Sequence, residues 1–464
     1  MFTGPLPPLT GPPPLRSRDL GAVGAMAVHR RTLLTGVPAG VLGTQLLTRA
    51  RPSDWLRDSA PGPEPDRIVL NPTPTPTRSV TVTWRTDVTT RDGVAEWIPA
   101  DGGRAGRVRS KQTRVSLPSA GMAAPARHHT ATMDGLDPAT SYRFRVGSDT
   151  TGWSPWRRVR TAGTGTEPWT FLYFGDAQVS LDEVWPANVE RALARYPGAA
   201  LSLHAGDLIN DADQDEQWAQ WFAAAGRLAS EKLVVASPGN HEYQGDDLLQ
   251  QYRAHFGMPD NGPRLHREDV WFTDYQGVRF ISLNGNAPFG GGDQAAWVRR
   301  LLTNNPMRWS VVTFHQPMFS ATPERDNGRL RNRWLPVFEE YGVDLVLQGH
   351  DHTYARGHLA SGEVGDGTHT GPVYVVSNAG GKYYPLDRGR RNNWTVNGAI
   401  RAVAYEGVTT YQAIRVHEDR LVYRSHASWF RDDPNPDGLA LDEVVDAFTV
   451  ERLADGRKRV VPWT

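Results

Sequence analysis

Five short polar blocks, each placed just after an apolar run, constrain the fold of this 464-residue chain more than any other feature of its sequence. The apolar runs are short and mostly uncharged, so they read as buried strands. In chain order, the blocks are Gly175-Asp176-Ala177-Gln178, Gly206-Asp207-Leu208-Ile209-Asn210, Gly239-Asn240-His241-Glu242, His315-Gln316-Pro317 and Gly349-His350-Asp351-His352. Loops at successive strand ends can aim such side chains at one rim. The sequence therefore predicts one shared site.

The blocks supply carboxylate and amide oxygens and imidazole nitrogens, and the chain has no cysteine. This hard-to-borderline ligand set suits Zn, Mn or Fe rather than a thiolate-bound metal. One carboxylate can bridge two ions about 3.5–4 Å apart, the geometry that activates water and stabilises in-line displacement at phosphorus. Each block alone is also ordinary turn chemistry. Together they favour a two-metal phosphoesterase.

The order of the blocks resembles the pattern of the calcineurin-like metallophosphoesterases and, within them, of the purple acid phosphatases. That pattern is D-x-[GH], G-D-x-x-[YD], G-N-H-[DE], a lone His and G-H-x-H, and it is met in order between Asp176 and His352. The resemblance implies that these two residues hold a first metal ion and that Asp207 bridges to a second. The second ion would be held by three further side chains: Asn240, His315 and His350.

The resemblance also implies a mechanism. His241 would contact the phosphate and protonate the leaving group, because a positioned imidazole is an effective acid near neutral pH. A metal-bound hydroxide would attack phosphorus, and Glu242 would orient His241 or a ligand rather than bind metal itself. We therefore expect an enzyme, an acid phosphatase-like hydrolase of phosphate monoesters. A phosphodiesterase on the same centre, or a non-catalytic surface-binding protein with a decayed centre, is the alternative.

Two positions depart from the family pattern. Gln178 stands where purple acid phosphatases have Gly or His, and Asn210 stands where they have Tyr. The resemblance implies that the Tyr phenolate binds ferric iron and produces the colour, whereas a neutral amide supplies neither the charge nor the donor. We expect two metal ions drawn from Fe, Zn or Mn, both divalent, and a pale or colourless protein. A Gln178 oxygen could also act as a weak, uncharged ligand.

Residues 66–162 show a pattern typical of short strands. Val80, Val82 and Trp84 alternate with polar residues, and Gly- and Asp-rich turns follow. Spaced strands of this kind predict a β-sandwich. The stretch Leu136–Tyr142 resembles the fibronectin type III signature, in which a Tyr hydroxyl ties down the crossover between strands. We expect an all-β, fibronectin III-like sandwich that carries no chemistry.

Residues 167–430 are predicted to form the metallophosphoesterase domain, because strands there alternate with helical stretches. Five stretches read as helices: Leu181–Tyr196, Glu216–Leu228, Asp247–Phe256, Gln294–Asn304 and Leu330–Tyr341. The family implies an α/β layered domain of two packed sheets flanked by helices. Strands at Val373–Val376 and from Thr410 to His426 are predicted to close the second sheet. Residues 431–464 are predicted to form a C-terminal extension.

Composition excludes some partners and suggests a location. The formal net charge is zero, so no nucleic-acid partner is evident, and no apolar run is long enough for a stable membrane span. Residues 1–65 are predicted to contain a disordered N-terminus, an export signal and a linker. Arg30-Arg31 precedes a mildly apolar segment and resembles a twin-arginine signal, which indicates a periplasmic or extracellular protein. Whether the signal is cleaved stays open.

Overall fold

A computed structural model describes residues 60–115, 125–287, 291–433 and 435–463. The predicted twin-arginine signal and most of the predicted disordered segment fall on residues 1–59, outside the described residues. In the part of the chain that is described, no helix combines the length and apolar composition that crossing a membrane requires.

The first part of the described chain consists of short strands, as the alternating sequence predicts. Its strands are β1 (Asp66–Pro72), β2 (Val80–Asp87), β3 (Val94–Pro99), β4 (Gly106–Arg109), β5 (Lys111–Val115), β6 (Ala126–Met133), β7 (Ser141–Ser148), β8 (Gly152–Trp153) and β9 (Arg157–Arg160). Strand β7 pairs with β3, β8 and β9, while β1, β2, β6 and β5 form a second group. Val80, Val82 and Trp84 of β2 are buried with Phe144 and Val146 of β7 in one apolar core.

Tyr142 fixes the entry to β7. Its ring is buried, and its hydroxyl accepts a hydrogen bond from the backbone N–H of Asp137 at 2.8 Å. This is the contact that the sequence predicts for a Tyr at a strand crossover.

Strands and helices alternate after residue 168. The elements are β10 (Trp169–Phe174), α1 (Val184–Arg195), β11 (Leu201–His204), α2 (Asp215–Glu231), β12 (Leu233–Ala236), α3 (Gln250–His255), β13 (Trp271–Tyr275), β14 (Val278–Ser282), α4 (Gly291–Thr303), β15 (Trp309–Thr313), α5 (Gly328–Glu340), β16 (Leu345–Gln348), β17 (Tyr354–Leu359), β18 (Glu363–Gly365), β19 (Thr368–His369), β20 (Val373–Val376), α6 (Asn393–Val396), β21 (Ala399–Tyr405), β22 (Val408–Val416), β23 (Arg420–Phe430), β24 (Val444–Arg452) and β25 (Lys458–Pro462). All five predicted helical stretches contain a helix, so the periodic apolar positions identified them correctly.

Two large sheets organise this second part. Within the described residues, the larger sheet has the order β18-β19-β25-β24-β23-β22-β10-β11-β12-β1-β2-β6-β5, and the smaller has the order β13-β14-β15-β16-β20-β17-β21. Strands β10, β11 and β12 run parallel, as do β14, β15, β16 and β20. Their carboxyl ends therefore collect at one edge of each sheet, which is where loops carry functional residues in parallel sheets.

The prediction that the late strands close one sheet is wrong in one detail. Val373–Val376 joins the smaller sheet beside β16, but β22 and β23 join the larger sheet, where β22 pairs antiparallel with β10. The sequence predicts strands well but not their partners, because pairing depends on distant segments. Residues 444–462 also belong to the larger sheet, through β24 and β25.

Strand β10 is buried on both faces. Phe171 packs edge to face on Phe280 of the smaller sheet, with ring centroids 5.2 Å apart. Phe174 packs in the same way on Trp185 of α1, also at 5.2 Å. Tyr173 donates a hydrogen bond to the carbonyl of Gln348, at the end of β16. The ends of β10 and β16 are thus held together, although they lie in different sheets.

A buried ionic cluster joins the first part of the chain to the second. Asp215, the first residue of α2, accepts hydrogen bonds from Arg67 of β1 at 2.8 Å and from Arg85 of β2 at 2.9 Å. Arg85 also pairs with Asp66, and both guanidinium groups are almost fully buried. Strand β1 meanwhile pairs in parallel with β12, so the larger sheet continues from one part of the chain into the other.

Replacing Asp215 by Ala should destabilise the whole chain, because it leaves two buried guanidinium groups without their shared partner. We expect a loss of roughly 3–5 kcal/mol in the free energy of unfolding at pH 7, measured by urea denaturation. Burial alone would raise the pKa of Asp215, but the charges of Arg67 and Arg85 outweigh it and lower the pKa.

The Asp215 contribution is therefore fully present above the ordinary carboxyl pKa of about 3.9 and is lost as the pH falls below it. The difference between wild type and Asp215→Ala should shrink in that range. Glu216→Ala, at the exposed neighbouring position, is the matched control and should change stability little. Equal stabilities of wild type and Asp215→Ala at pH 7 would contradict this account.

Candidate metal centre

Six predicted ligands come from two sheets, three from each. The loops after β10, β11 and β12 of the larger sheet carry Asp176, Asp207 and Asn240. The loops after β15 and β16 of the smaller sheet carry His315, His350 and His352. Because the carboxyl ends of both sets of strands face one rim, the oxygen donors of one sheet meet the nitrogen donors of the other.

Distances between side-chain atoms show which of these residues the structure brings together. His315 Nε2 lies 2.9 Å from Asp207 Oδ2, and His350 Nδ1 lies 3.0 Å from His315 Nε2. His352 Nε2 lies 3.3 Å from Asp176 Oδ2. Ligand atoms on one tetrahedral zinc ion lie roughly 3.3 Å apart, as follows from bonds of about 2.0–2.1 Å. Asp207, His315 and His350 present donor atoms within 4.8 Å of one another, which fits a shared cation.

Two buried oxygens at the centre accept no hydrogen bond from the described residues: Asp176 Oδ2 and Asn240 Oδ1. An unsatisfied buried acceptor costs about 1–3 kcal/mol, and more when it is charged. A cation beside these oxygens would remove that cost. The donor set therefore fits metal binding on an observation that is independent of the sequence pattern.

Burial keeps the two histidines after β16 neutral. It lowers the pKa of His350 to about 2 and that of His352 to about 3. A neutral imidazole has a lone pair for a metal ion. Burial also raises the pKa of Asp176 to about 8. For His315 burial acts downward, but the carboxylates of Asp207 and Asp176 outweigh it and raise the pKa to about 9. Without a metal ion, a proton on His315 thus offsets the negative charge of Asp207 and Asp176. A bound cation would take over this role.

The backbone at three of the predicted ligands is strained. Asp207, His350 and His352 have φ values of 50°, 78° and 49°, in the left-handed region that non-glycine residues rarely adopt. Such conformations cost of order 1–3 kcal/mol each and persist only where the surroundings impose them. Here they turn each side chain inward directly after a strand.

At two positions of the polar blocks, a carboxylate lies so close to the backbone that only glycine fits. A Cβ at Gly349 would lie 2.1 Å from Asp176 Oδ1, and a Cβ at Gly239 would lie 2.1 Å from Asp207 Oδ1. Any side chain would displace the carboxylate. The glycine before each histidine or asparagine block is therefore part of the site's geometry.

His241 lies at the mouth of the centre. Its backbone N–H donates to Asp207 Oδ1 at 2.9 Å, and its ring Nδ1 donates to the carbonyl of Asn210 at 2.5 Å. The other ring nitrogen, Nε2, lies 3.8 Å from Asp207 Oδ2, and the side chain is 15% exposed. The Asn210 carbonyl fixes the ring orientation, so Nε2 is the nitrogen that faces the centre.

Glu242 is buried beneath the centre and contacts backbone rather than a ligand side chain. Its carboxylate accepts hydrogen bonds from the N–H groups of Asp207 at 2.9 Å, Leu208 at 2.8 Å and Gly239 at 2.6 Å. Burial raises its pKa to about 7. Glu242 therefore joins the loop after β11 to the loop after β12. It orients Asp207 through the backbone, and its hydrogen bonds go to these loops rather than to the His241 side chain.

The two departures from the family pattern contact each other. Asn210 Nδ2 donates to Asp211 Oδ2 at 2.7 Å, so its Oδ1 faces Gln178, whose Nε2 donates to it at 3.1 Å. The Asn210 amide is thus occupied by its neighbours. Gln178 Oε1 is left buried with no hydrogen bond among the described residues, and it is the better placed of the two amides to offer an oxygen.

Sequence reasoning missed a group of residues around His352. Tyr384 packs edge to face on the His352 ring at 4.8 Å, and Arg325 donates to the His350 carbonyl at 2.7 Å. Arg325 also pairs with the buried Asp351 at 3.1 Å. No local pattern marks these residues, because their roles depend on contacts between distant segments.

Two family models match this chain. The model described as purple acid phosphatase, N-terminal domain, matches residues 65–161, and the model described as calcineurin-like phosphoesterase matches residues 170–354. An uncharacterized protein of Mycobacterium tuberculosis is 28% identical over 90% of this chain and 89% of its own length. Human acid phosphatase type 7 is 26% identical over 69% of this chain and 79% of its own length.

Two solved structures share the fold. The purple acid phosphatase PPD1 from yellow lupin seeds has a TM-score of 0.71 and 18% identity, over 85% of this chain and 75% of that one. A structure of PhoD has a TM-score of 0.61 and 14% identity, over 86% of this chain and 92% of that one. At these identities the likeness concerns the fold alone.

Replacing Glu242 by Gln should weaken metal binding without removing a ligand. The amide can accept only through its oxygen, and its NH₂ group would face a backbone N–H. We expect a 10–100-fold lower metal affinity by calorimetric titration, as is typical when a group that orients ligands is lost. Glu216→Gln, on the exposed face of α2, is the control. An unchanged affinity in Glu242→Gln would show that the two loops are held by other contacts.

Proposed function

We propose that this chain, which belongs to the purple acid phosphatase family of calcineurin-like metallophosphoesterases, hydrolyses phosphate monoesters at a centre of two metal ions. Metal-dependent phosphoester hydrolysis is the activity of the family. The finer proposal of two ions is supported by two groups of donor atoms: those of Asp207, His315 and His350 lie within 4.8 Å of one another, and Asp176 Oδ2 lies 3.3 Å from His352 Nε2.

The donor atoms divide into two groups that share Asp207. Asp176 and His352, whose Oδ2 and Nε2 lie 3.3 Å apart, would hold one ion. Asn240, His315 and His350 would hold the other. Asp207 would bridge the two ions, and the 2.9 Å distance between its Oδ2 and His315 Nε2 supports this role. When bound, such a pair of ions acidifies water and stabilises in-line displacement at phosphorus.

The residues around the centre position the substrate and the departing proton. His241 Nδ1 is held by the Asn210 carbonyl, so Nε2 is the atom that donates a proton to the leaving oxygen. The partial exposure of the ring lets it be reprotonated from solvent. Asp207 Oδ1 accepts a hydrogen bond from the backbone N–H of His241 at 2.9 Å. This contact fixes the position of the proton donor relative to the predicted ligand Asp207.

We further propose that both ions are divalent, chosen from Fe, Zn or Mn. The Asn210 side chain is neutral and is held by Gln178 and Asp211. It therefore supplies neither an anionic ligand nor a phenolate. This supports a pale or colourless protein.

The finer details of the fold are part of the same proposal. The buried contacts of β10 on both faces support two packed sheets flanked by helices, and the Tyr142 hydroxyl contact supports a fibronectin III-like sandwich. We also propose export through the segment that contains Arg30-Arg31, on the sequence resemblance alone.

The proposal is tested by metal analysis of the purified protein with a panel of phosphate mono- and diesters at several pH values. We expect two metal equivalents, monoester turnover that chelation removes, and no strong visible absorption band. Asp207→Ala and His350→Ala should abolish metal-dependent hydrolysis, because each removes a ligand. His417→Ala is the control, since its carbonyl contacts Trp309 at the opposite end of β15. Diester turnover above monoester turnover would overturn the monoester assignment.

His241→Ala should separate proton donation from metal binding. We expect turnover to fall by about 10²–10⁴-fold, the usual contribution of a general acid, while both metal equivalents stay bound. The loss should be smaller for esters whose leaving group is a weak base, because they need less protonation. Loss of one metal equivalent in this variant would make His241 a ligand instead.

A further inference from the structure

Two cationic side chains flank one aromatic ring beside the candidate metal centre. The Arg325 Cζ atom lies 5.1 Å from the centroid of the Tyr384 ring, and the Lys382 Nζ atom lies 5.4 Å from it. The same ring packs on His352 at 4.8 Å with an interplanar angle of 82°. We call Arg325, Lys382 and Tyr384 the cation platform. Its Tyr384 ring contacts the candidate centre through the ring of His352.

The cation platform is fixed to the loops of the centre. Tyr384 N–H donates to the His352 carbonyl at 3.3 Å, and Ala379 N–H donates to the Asp176 carbonyl at 2.9 Å. Asn378 Nδ2 donates to the carbonyl of Lys382 at 2.9 Å, which closes the turn after β20. The segment that carries Lys382 and Tyr384 is thus tied to both loops that supply the predicted first metal site.

Arg325 is held from the other side. Its Nη1 donates to the His350 carbonyl at 2.7 Å and to Asp351 Oδ1 at 3.1 Å. Asp351 is itself fixed, because its Oδ2 accepts from Ala321 N–H at 2.6 Å and from the Ser320 hydroxyl at 2.9 Å. Arg325 therefore uses one of its three nitrogens to keep its place, and its side chain remains 27% exposed.

The unused donors of the cation platform have no partner within the described chain. Neither Nε and Nη2 of Arg325 nor Nζ of Lys382 makes a hydrogen bond there. Arg325 has its charge offset by Asp351, whereas Lys382 forms no ion pair with any described carboxylate. A planar guanidinium edge and a compact ammonium are the two groups that proteins use to bind phosphate oxygens.

We propose that Arg325 and Lys382 bind a second anionic group of the substrate, adjacent to the phosphoryl group that is hydrolysed. The inference rests on the proposed function and names its substrate class: phosphate compounds with a further negative charge close to the scissile bond, above all diphosphates. In such a reaction the water oxygen bonds to the terminal phosphorus and the bond to the bridging oxygen breaks. The second phosphate leaves with that oxygen, and the cation platform offsets its charge.

The position of the cation platform favours binding of a second anionic group over binding of the scissile phosphate itself. His352, whose Nε2 lies 3.3 Å from Asp176 Oδ2, is the predicted ligand whose ring packs on Tyr384, so the Tyr384 ring borders the predicted ligands rather than lying among them. A monoester with an uncharged leaving group would leave Lys382 without a partner. A diphosphate would give it one. The alternative is a purely structural platform, in which the cations only stack on Tyr384.

The test compares two substrates and two non-hydrolysable ligands. For the metal-loaded protein, kcat/KM is measured for pyrophosphate and for p-nitrophenyl phosphate. Binding of methylenediphosphonate, phosphonoacetate and methylphosphonate is measured by calorimetry. In Lys382→Met we expect the ratio of the two kcat/KM values, pyrophosphate over p-nitrophenyl phosphate, to fall at least tenfold. The affinity for methylenediphosphonate should fall by a similar factor relative to methylphosphonate. Lys382→Gln serves if the Met variant does not fold.

Lys111→Met, at an exposed lysine of β5, is the matched control and should leave both ratios unchanged. A parallel loss of phosphonoacetate binding in Lys382→Met would extend the second group to carboxylates, and a loss confined to methylenediphosphonate would restrict it to phosphates. Lys382 variants in which both ratios equal those of wild type would overturn the proposal and leave the platform structural. A wild type that binds methylenediphosphonate tenfold tighter than methylphosphonate but hydrolyses no ester would instead overturn the proposed function.

Discussion

The contact between Asp207 and His315 joins the two sheets at the point where the predicted metal ligands converge. Asp207 lies in the loop after β11 of the larger sheet, His315 lies in the loop after β15 of the smaller one, and their side-chain atoms lie 2.9 Å apart in a fully buried setting. A buried carboxylate is stable there only with positive charge beside it, from a proton on the imidazole or from a cation. The remaining features of the centre follow from this demand. Glu242 holds the Asp207 loop, and the glycines at 239 and 349 leave room for the carboxylates.

The same physical solution recurs away from the centre. Asp215 lies between two buried arginines where β1 and β2 meet α2, and Asp446 of β24 pairs with the buried Arg356 of β17. Each of these two carboxylates has a guanidinium partner, so its charge is offset within the protein. At the candidate centre the carboxylates have imidazoles instead. There, buried oxygens of Asp176 and Asn240 that accept no hydrogen bond from the described residues lie beside nitrogen donors suited to a metal ion.

The proximity of the predicted ligands could be anticipated because these residues follow short local patterns. Each of Asp207, Asn240 and His350 stands beside a glycine just after an apolar strand, so a few adjacent residues identify it. The cation platform could not be predicted in this way, because Arg325 and Tyr384 meet only in the folded chain. The sheet to which each strand belongs could not be predicted either. The pairing of β1 with β12 and of β22 with β10 joins segments that are distant in the sequence. The contact between Gln178 and Asn210 shows the same limit. The sequence shows that each residue departs from the family pattern, but it does not show that the two side chains form a hydrogen bond.

The position of β10 between β11 and β22 has a consequence for the order in which the chain folds. One neighbour, β11, is synthesised soon after β10, but the other lies near the end of the chain, at Val408–Val416. Long-range pairings of this kind are slow to form, because the intervening chain must be ordered first. During synthesis, the edge of β10 that carries Asp176 at its end stays unpaired until almost the whole protein has emerged. A shortened chain that ends before β22 would leave this edge open to pairing with other molecules.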